Sequence, residues 1–337
     1  MHFGSLTSST AKFMIKFGGF LENPINHELL AKTTLELEKA GFHSVWLEDH
    51  LVISPGLPND YKKAHKRIPL SLLAPSMLEC WTTLSWLAGK TSRIRLGTLV
   101  TCNLFRYPSV LAKMASTFDI FSEGRLELGL GAGYWKPEFE MYGIPLPDHV
   151  TRMERLAEAV QIINSMWTKE VTDFSGKYYT VKGALNNPKP VQKPHPPILI
   201  GGSGQRLMKC AAQFADNWNF PVQPTLTPEE YGPVAATFDE YCRQVGRSPK
   251  EVVKSMMFRC IIDKKIDRVR EKVKRLKPDW ESLDVFMKRL IGTPQQCIEK
   301  LNAFKEKGLE YCIIHFEDAT DFESMELFAE EVIPALK

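Results

Sequence analysis

Residues 14–50 read MIKFGGFLENPINHELLAKTTLELEKAGFHSVWLEDH, and this stretch sets the fold. A short apolar run at 14–20 is followed by residues 27–40, where Leu29, Leu30, Thr33 and Leu37 recur at helical spacing until Gly41 closes the turn. A second apolar run, 43–47, comes next. Strand, helix, strand in that order is a βα repeat, because parallel strands need a crossover helix between them.

Outward from this unit the alternation continues. Residues 93–100 and 125–130 read as strands three and four, with helices at 77–88 and 109–121, the latter ended by Gly124. Residues 151–167 carry a strong amphipathic pattern, and 171–181 alternate around Ser175-Gly176 as a β-hairpin insertion. Strands five to eight fall at 197–200, 217–220, 253–262 and 311–316, with helices near 205–215, 229–245, 294–307 and 322–333. Eight strands with intervening helices predict an α/β chain folded as a (β/α)8 TIM barrel, with insertions after strands 2, 4 and 7. An open doubly wound sheet is the competing arrangement. Residues 1–12 are expected to be a disordered N-terminus and 13–337 a single domain, since no repeat or composition shift divides them. Residues 52–75, with Pro55, Pro58, Pro69, Pro75, Lys62, Lys63, Lys66 and Arg67, read as a lid or binding loop, and 263–292 as a charged excursion on the outside.

Composition narrows the function. Hydrophobic residues at 44% and charged residues at 25% of 337 are those of a soluble globular chain. The net charge of +3, without a dense basic run and interleaved aromatics, argues against a nucleic-acid partner. The longest apolar stretches, such as PPILI at 196–200, fall far short of the ~18 residues of a membrane span. The N-terminus has no basic region followed by a long apolar core, so a cytoplasmic protein is expected. The seven cysteines are odd in number and never in C-x-x-C spacing, which argues for buried free thiols. There is no H-E-x-x-H, and Phe17-Gly18-Gly19-Phe20 stands where a barrel hydrolase carries His-x-His, so no metal site is expected.

In a barrel the chemistry sits at the carboxyl ends of the strands. Strand two ends Trp46-Leu47-Glu48-Asp49-His50, strand three Leu96-Gly97-Thr98-Leu99-Val100-Thr101, and strand four Leu128-Gly129-Leu130-Gly131-Ala132-Gly133. An acid and an imidazole at the first, with small residues at the others, describe a cavity where backbone approaches a flat or bulky ligand. Gly201-Gly202-Ser203-Gly204, between a strand and a helix, offers free N–H groups and the positive end of a helix to an anion. It is not a P-loop, and Gly129-Leu130-Gly131-Ala132-Gly133 lacks Rossmann spacing.

Taken together, these strand ends, with Arg93-Ile94-Arg95, Arg106-Tyr107-Pro108, Ser122-Glu123-Gly124-Arg125 and Ala215-Asp216-Asn217-Trp218, make the chain resemble the luciferase-like flavin and deazaflavin oxidoreductase family from Met14 to Lys337. The resemblance implies a barrel that holds coenzyme F-420 across the strand mouths and exchanges hydride with a small organic substrate. FMN is the alternative cofactor, in a monooxygenase using molecular oxygen; a flavin-binding barrel without catalysis is a third reading. Asp-His is the form common in the F-420 branch, which makes His50 the acid/base group with Asp49 orienting it. The resemblance further implies a non-prolyl cis peptide at Leu99-Val100, with Leu99, Val100, Cys102, Gly131 and Gly133 against the cofactor. Gly201, Gly202, Ser203 and Gly204 would take its phosphate, with Arg106 and Arg125 as candidates if the cofactor is FMN. Sugar-phosphate dehydrogenases of the family carry a glutamate where this chain has Tyr134, and lysines after strand six where it reads Asn219-Phe220-Pro221-Val222-Gln223. A sugar phosphate is therefore not the expected substrate, and Tyr134 and Glu138 are the candidates for a second proton donor. The resemblance also implies a homodimer.

Overall fold

The computed structural model describes residues 15–21, 26–52, 77–221, 226–276 and 289–336. The expected N-terminal tail, almost all of the expected lid at 52–75 and part of the 263–292 excursion lie outside these residues. The first strand, β1 (Lys16–Leu21), leads through helix α1 (His27–Lys39) to β2 (Ser44–Leu47). Helix α2 (Cys80–Ala88) precedes β3 (Arg95–Thr98) and the two-residue β4 (Thr101–Cys102); α3 (Pro108–Phe121) leads to β5 (Leu126–Gly131). After the short α4 (Lys136–Met141) and the long α5 (His149–Thr168) comes the antiparallel hairpin β6 (Thr172–Ser175) and β7 (Thr180–Ala184). The barrel resumes with β8 (Ile198–Gly201), α6 (Gln205–Phe214), β9 (Asn217–Phe220), α7 (Pro228–Gln244) and β10 (Val253–Ile262). It finishes with α8 (Ile266–Leu276), β11 (Leu290–Gly292), α9 (Pro294–Glu306), β12 (Tyr311–Phe316) and α10 (Phe322–Leu327).

The strands pair in parallel in the order β1-β2-β3-β5-β8-β9-β10-β12 and return to β1, so the sheet closes on itself. This is the eight-stranded barrel; the doubly wound alternative falls because the β9–β10 pairing leaves no open edge. Successive side chains of a strand point to opposite faces, which splits the apolar residues into two cores. Trp46, Phe20, Leu199, Tyr311 and Ile313 fill the barrel interior. Val45 and Leu47 face outward, into the cluster that includes Leu37, Leu84 and Leu87 of the surrounding helices. Several helix starts are fixed by side chains that accept otherwise orphaned N–H groups: Asn26 on α1, Asp148 on α5, and a Thr227/Glu230 capping box on α7.

The Leu99-Val100 peptide is cis, as expected. Two departures from the sequence reading matter for the site. Strand three does not run unbroken to residue 100: β3 stops at Thr98 and β4 resumes beside Leu130 and Gly131. The insertion after strand four contains, besides the expected hairpin, the unforeseen helix α4. The excursion after strand seven carries α8 and β11, which pairs with the upper end of β10.

Candidate active site

His50 follows β2 by three residues, and its ring lies on the wall of a cavity at the strand mouths. Helix α4 brings Glu138 to it: Nδ1 of His50 is 3.0 Å from Oε2 and 3.2 Å from Oε1. The same carboxylate accepts the Leu51 N–H at 2.6 Å, and the Tyr142 hydroxyl donates to the Leu51 carbonyl at 3.1 Å. The segment after β2 and the start of the strand-four insertion are thus tied together at His50. Glu138 is 1% exposed, so its charge acts on the imidazole through little water. Burial of the ring opposes its protonation, but the hydrogen bond and charge of Glu138, with the charges of Glu48 and Asp49, outweigh it and hold His50 above the ordinary histidine range. With Nδ1 engaged, Nε2 is the nitrogen left for a ligand.

Asp49 does not orient His50 as the sequence suggested. Its Oδ2 accepts from Arg106 at 2.6 Å and from the Cys102 N–H at 3.1 Å, and Oδ1 takes a second Arg106 bond at 3.1 Å. Neighbouring residues on an extended chain present side chains to opposite sides, so when His50 turns to the cavity wall Asp49 turns toward β4 and α2. Burial pushes the Asp49 carboxyl up to about 6, against the lowering influence of Arg106 and the Cys102 amide. Arg106 also binds Glu79 at 2.6 Å. Its guanidinium is therefore consumed in fixing the β4 backbone and does not line the cavity. Arg125 stands just before β5, at the opposite end of the barrel, where Ala88, Ile94, Thr91 and Ser122 take its donors; it is not a phosphate ligand.

The cavity holds about 480 Å³. Leu99, Val100, Cys102, Gly131, Gly133, Gly201 and Gly202 all line it, together with Asp49, His50, Tyr134 and Glu138; Ser203 and Gly204, also expected at the cofactor, are not among the residues that line it. The glycines serve the backbone shape as much as any ligand. A Cβ on Gly131 would stand 2.5 Å from Val100 Cγ2, so the Leu99-Val100 bulge fits only over a bare strand end. Gly202, at φ 141°, is in a region that L side chains rarely adopt, and a Cβ there would meet Leu207 at 2.7 Å. Beyond it Gly204 caps α6 without a side-chain hydrogen bond, which leaves that helix start to an outside acceptor. Tyr134 is 73% exposed at the lip, its ring edge-on to His50 at 5.9 Å.

Several lining residues escaped the sequence reading: Glu48, the strand neighbour that points inward, Asn219, Met257, and His149 and Arg152 on the first turn of α5. The α5 pair had a signal, two basic side chains three apart directly after a helix-capping Asp148, but nothing in the sequence says which way that turn faces.

The chain is thus a closed (β/α)8 barrel whose strand mouths carry a half-buried histidine held against a buried glutamate, beside a cavity of about 480 Å³. The family model described as luciferase-like monooxygenase matches residues 1–289, and the chain belongs to that family. An F-420-dependent glucose-6-phosphate dehydrogenase of Microbacterium testaceum is 28% identical over 326 residues, 89% of this chain and 90% of the relative. The pyrimidine monooxygenase RutA of Pseudomonas savastanoi pv. phaseolicola is 31% identical over 204 residues, and the match spans 54% of that protein's length. Among solved structures, an F-420-dependent secondary alcohol dehydrogenase superposes with a TM-score of 0.77 at 21% identity, over 96% of this chain and 99% of the other, a likeness of fold.

Proposed function

We propose that this chain is a coenzyme F-420-dependent oxidoreductase that exchanges hydride with a small organic substrate, with His50 as its acid/base group. The observation that carries the reading is the 3.0 Å contact between His50 Nδ1 and the buried Glu138, which commits Nδ1 and leaves Nε2 of this cavity-lining ring for a ligand. The residues present fit a deazaflavin: the cavity volume is within the range of cofactor sites, the wall at Leu99 and Val100 is apolar, and the uncapped start of α6 suits a phosphate. When bound, the deazaflavin supplies a two-electron hydride acceptor or donor. Nε2 of His50 takes the proton of a hydroxyl or amine whose carbon loses hydride, and returns it in the reverse direction. Glu138 fixes the ring tautomer and stabilises the imidazolium that forms.

The near full-length relationship to an F-420-dependent dehydrogenase supports the deazaflavin over FMN, since the monooxygenase relative is matched over a shorter stretch. Tyr134 in place of a glutamate, and the absence of lysine in the sequence directly after strand six, argue for a substrate other than a sugar phosphate. The homodimer belongs to this proposal; exposed Val110 and Phe121 on α3 support it, and light scattering coupled to size exclusion tests it. The activity is tested by following anaerobic bleaching of F-420 with a panel of alcohols, and reoxidation of its reduced form with imines and enones. Turnover in one of these supports the reading. Oxygen uptake with reduced FMN, and no hydride exchange with F-420, refutes it in favour of the monooxygenase.

A further inference from the structure

Asn219 stands on the cavity wall near the end of β9 and is 5% exposed. Its Nδ2 donates to Ser255 Oγ at 3.0 Å, and the Ser255 hydroxyl donates to Asn217 Oδ1 at 2.7 Å. A hydroxyl has a single proton, so once Ser255 has given it to Asn217 it can only accept from Asn219, and the amide is locked with Oδ1 on the other side. That side is the cavity: a Cβ placed on the lining residue Gly201 would stand 3.9 Å from Oδ1. No donor among the described residues bonds to this oxygen. A buried amide that shows a bare acceptor to a cavity calls for a donor on the ligand, because a buried polar group left without its hydrogen bond is costly.

The order of the strands places this acceptor relative to His50. Around the closed sheet β9 lies four strands from β2 in either direction, so Asn219 faces His50 across the barrel mouth. Along the arc between them through β10 and β1, the lining side chains are Met257 and Phe20, both apolar. We propose that Asn219 is a substrate-binding residue and that the substrate carries two donors: the hydroxyl or amine oxidised at His50, and across the mouth from it a second N–H or O–H that Asn219 Oδ1 accepts. This rests on the hydride-exchange reading above and narrows its substrate. The apolar arc takes a hydrocarbon frame, which makes the substrate a diol, an amino alcohol or a diamine and not a simple alcohol.

The test uses cyclohexanol, the cyclohexanediols, the aminocyclohexanols and the monomethyl ethers of the diols. Each ether keeps the second oxygen but cannot donate from it. Dissociation constants are measured anaerobically by ligand-observed NMR on protein saturated with reduced F-420, or with reduced FMN if F-420 does not bind, a form that takes no hydride from an alcohol. In the parent, at least one diol is expected to bind about 10-fold more tightly than its ether and than cyclohexanol. In Asn219→Leu that preference disappears. Asn219→Asp keeps an acceptor and adds a charge, so its preference moves from the diol to an aminocyclohexanol, and it decides the question if the leucine variant does not fold. No diol preference in the parent, a preference that survives Asn219→Leu, or no move toward the amine in Asn219→Asp overturns the assignment. Hydride exchange between F-420 and alcohols without the diol preference leaves the proposed function standing and removes Asn219 from it; the preference without hydride exchange does the reverse. Protein that binds neither cofactor overturns both.

Discussion

Glu138→Gln changes one atom at a place where both carboxylate oxygens accept. Oε1 takes the Leu51 N–H at 2.6 Å, and Oε2 lies 3.0 Å from His50 Nδ1. A glutamine keeps the Leu51 bond only by setting its NH2 against Nδ1, so Nδ1 must become an acceptor and the ring proton moves to Nε2. The variant therefore loses a buried charge and holds the imidazole in the wrong tautomer for a base. Burial then dominates the ring, and His50 titrates lower than in the parent. Losing a charge-assisted hydrogen bond costs about 2 kcal/mol, roughly 3 °C in melting temperature for a chain of this length. Because the folded-state pKa of His50 is raised, the stability it contributes is complete below its unfolded value of about 6.5 and is lost as pH rises through the folded value. The melting difference between parent and variant is thus widest in mildly acidic buffer and narrows at higher pH. Turnover falls about 10²- to 10⁴-fold, as when a base is held in the wrong tautomer. NMR titration of the His50 ring, assigned with His50→Ala, and melting curves across pH are the assays. Equal ring midpoints in parent and variant, or a melting difference that does not vary with pH, would refute the reasoning.

Arg106→Met strands Asp49 in the interior beside the Cys102 amide and is expected to cost about 3–5 kcal/mol at pH 8; the cost shrinks at pH 5, where a carboxyl held near 6 is already protonated, and an equal loss at both pH values in denaturant melts would contradict this. Gly131→Ala drives a methyl to within 2.5 Å of Val100 Cγ2, so the bulge must move; cofactor affinity should fall with only a modest loss of stability, and unchanged titration curves would show that the bulge does not shape the site. Gly202→Val adds strain at a positive φ and a collision with Leu207, and both melting temperature and affinity for the phosphorylated cofactor should drop. All seven cysteines are buried and free, and burial pushes the Cys102 thiol up to about 12, so a thiol reagent should react slowly with the native protein and with all seven groups after denaturation.

The barrel was legible because each βα unit announces itself locally: a short apolar run, a helical period, and a glycine such as Gly41 or Gly124 where the chain must turn left-handed. His50 was legible for the same reason, standing at a strand end where a core has no use for an imidazole. Its partner was not. Asp49 is the neighbour in sequence, yet strand alternation separates adjacent side chains, and the carboxylate that meets the ring is 88 residues away on a six-residue helix. Glu138 was singled out as a candidate for a second proton donor, but nothing in the sequence showed that its carboxylate meets Nδ1 and the Leu51 N–H. Arg106 looked like a phosphate ligand because free arginines near strand ends often are, while its two acidic partners, Asp49 and Glu79, come from other segments. Arg152 was hidden for a related reason: the facing of a helix turn relative to the barrel mouth is set by packing of the whole helix against α3 and α6, which no local pattern records.

The measurement that tests the central claim most directly is an equilibrium titration of the purified protein with F-420 and with FMN side by side, repeated on His50→Ala. The account predicts saturable, tighter binding of F-420, retained in His50→Ala, because the histidine moves a proton and does not hold the cofactor. Tighter binding of FMN, or binding of neither cofactor, would contradict it.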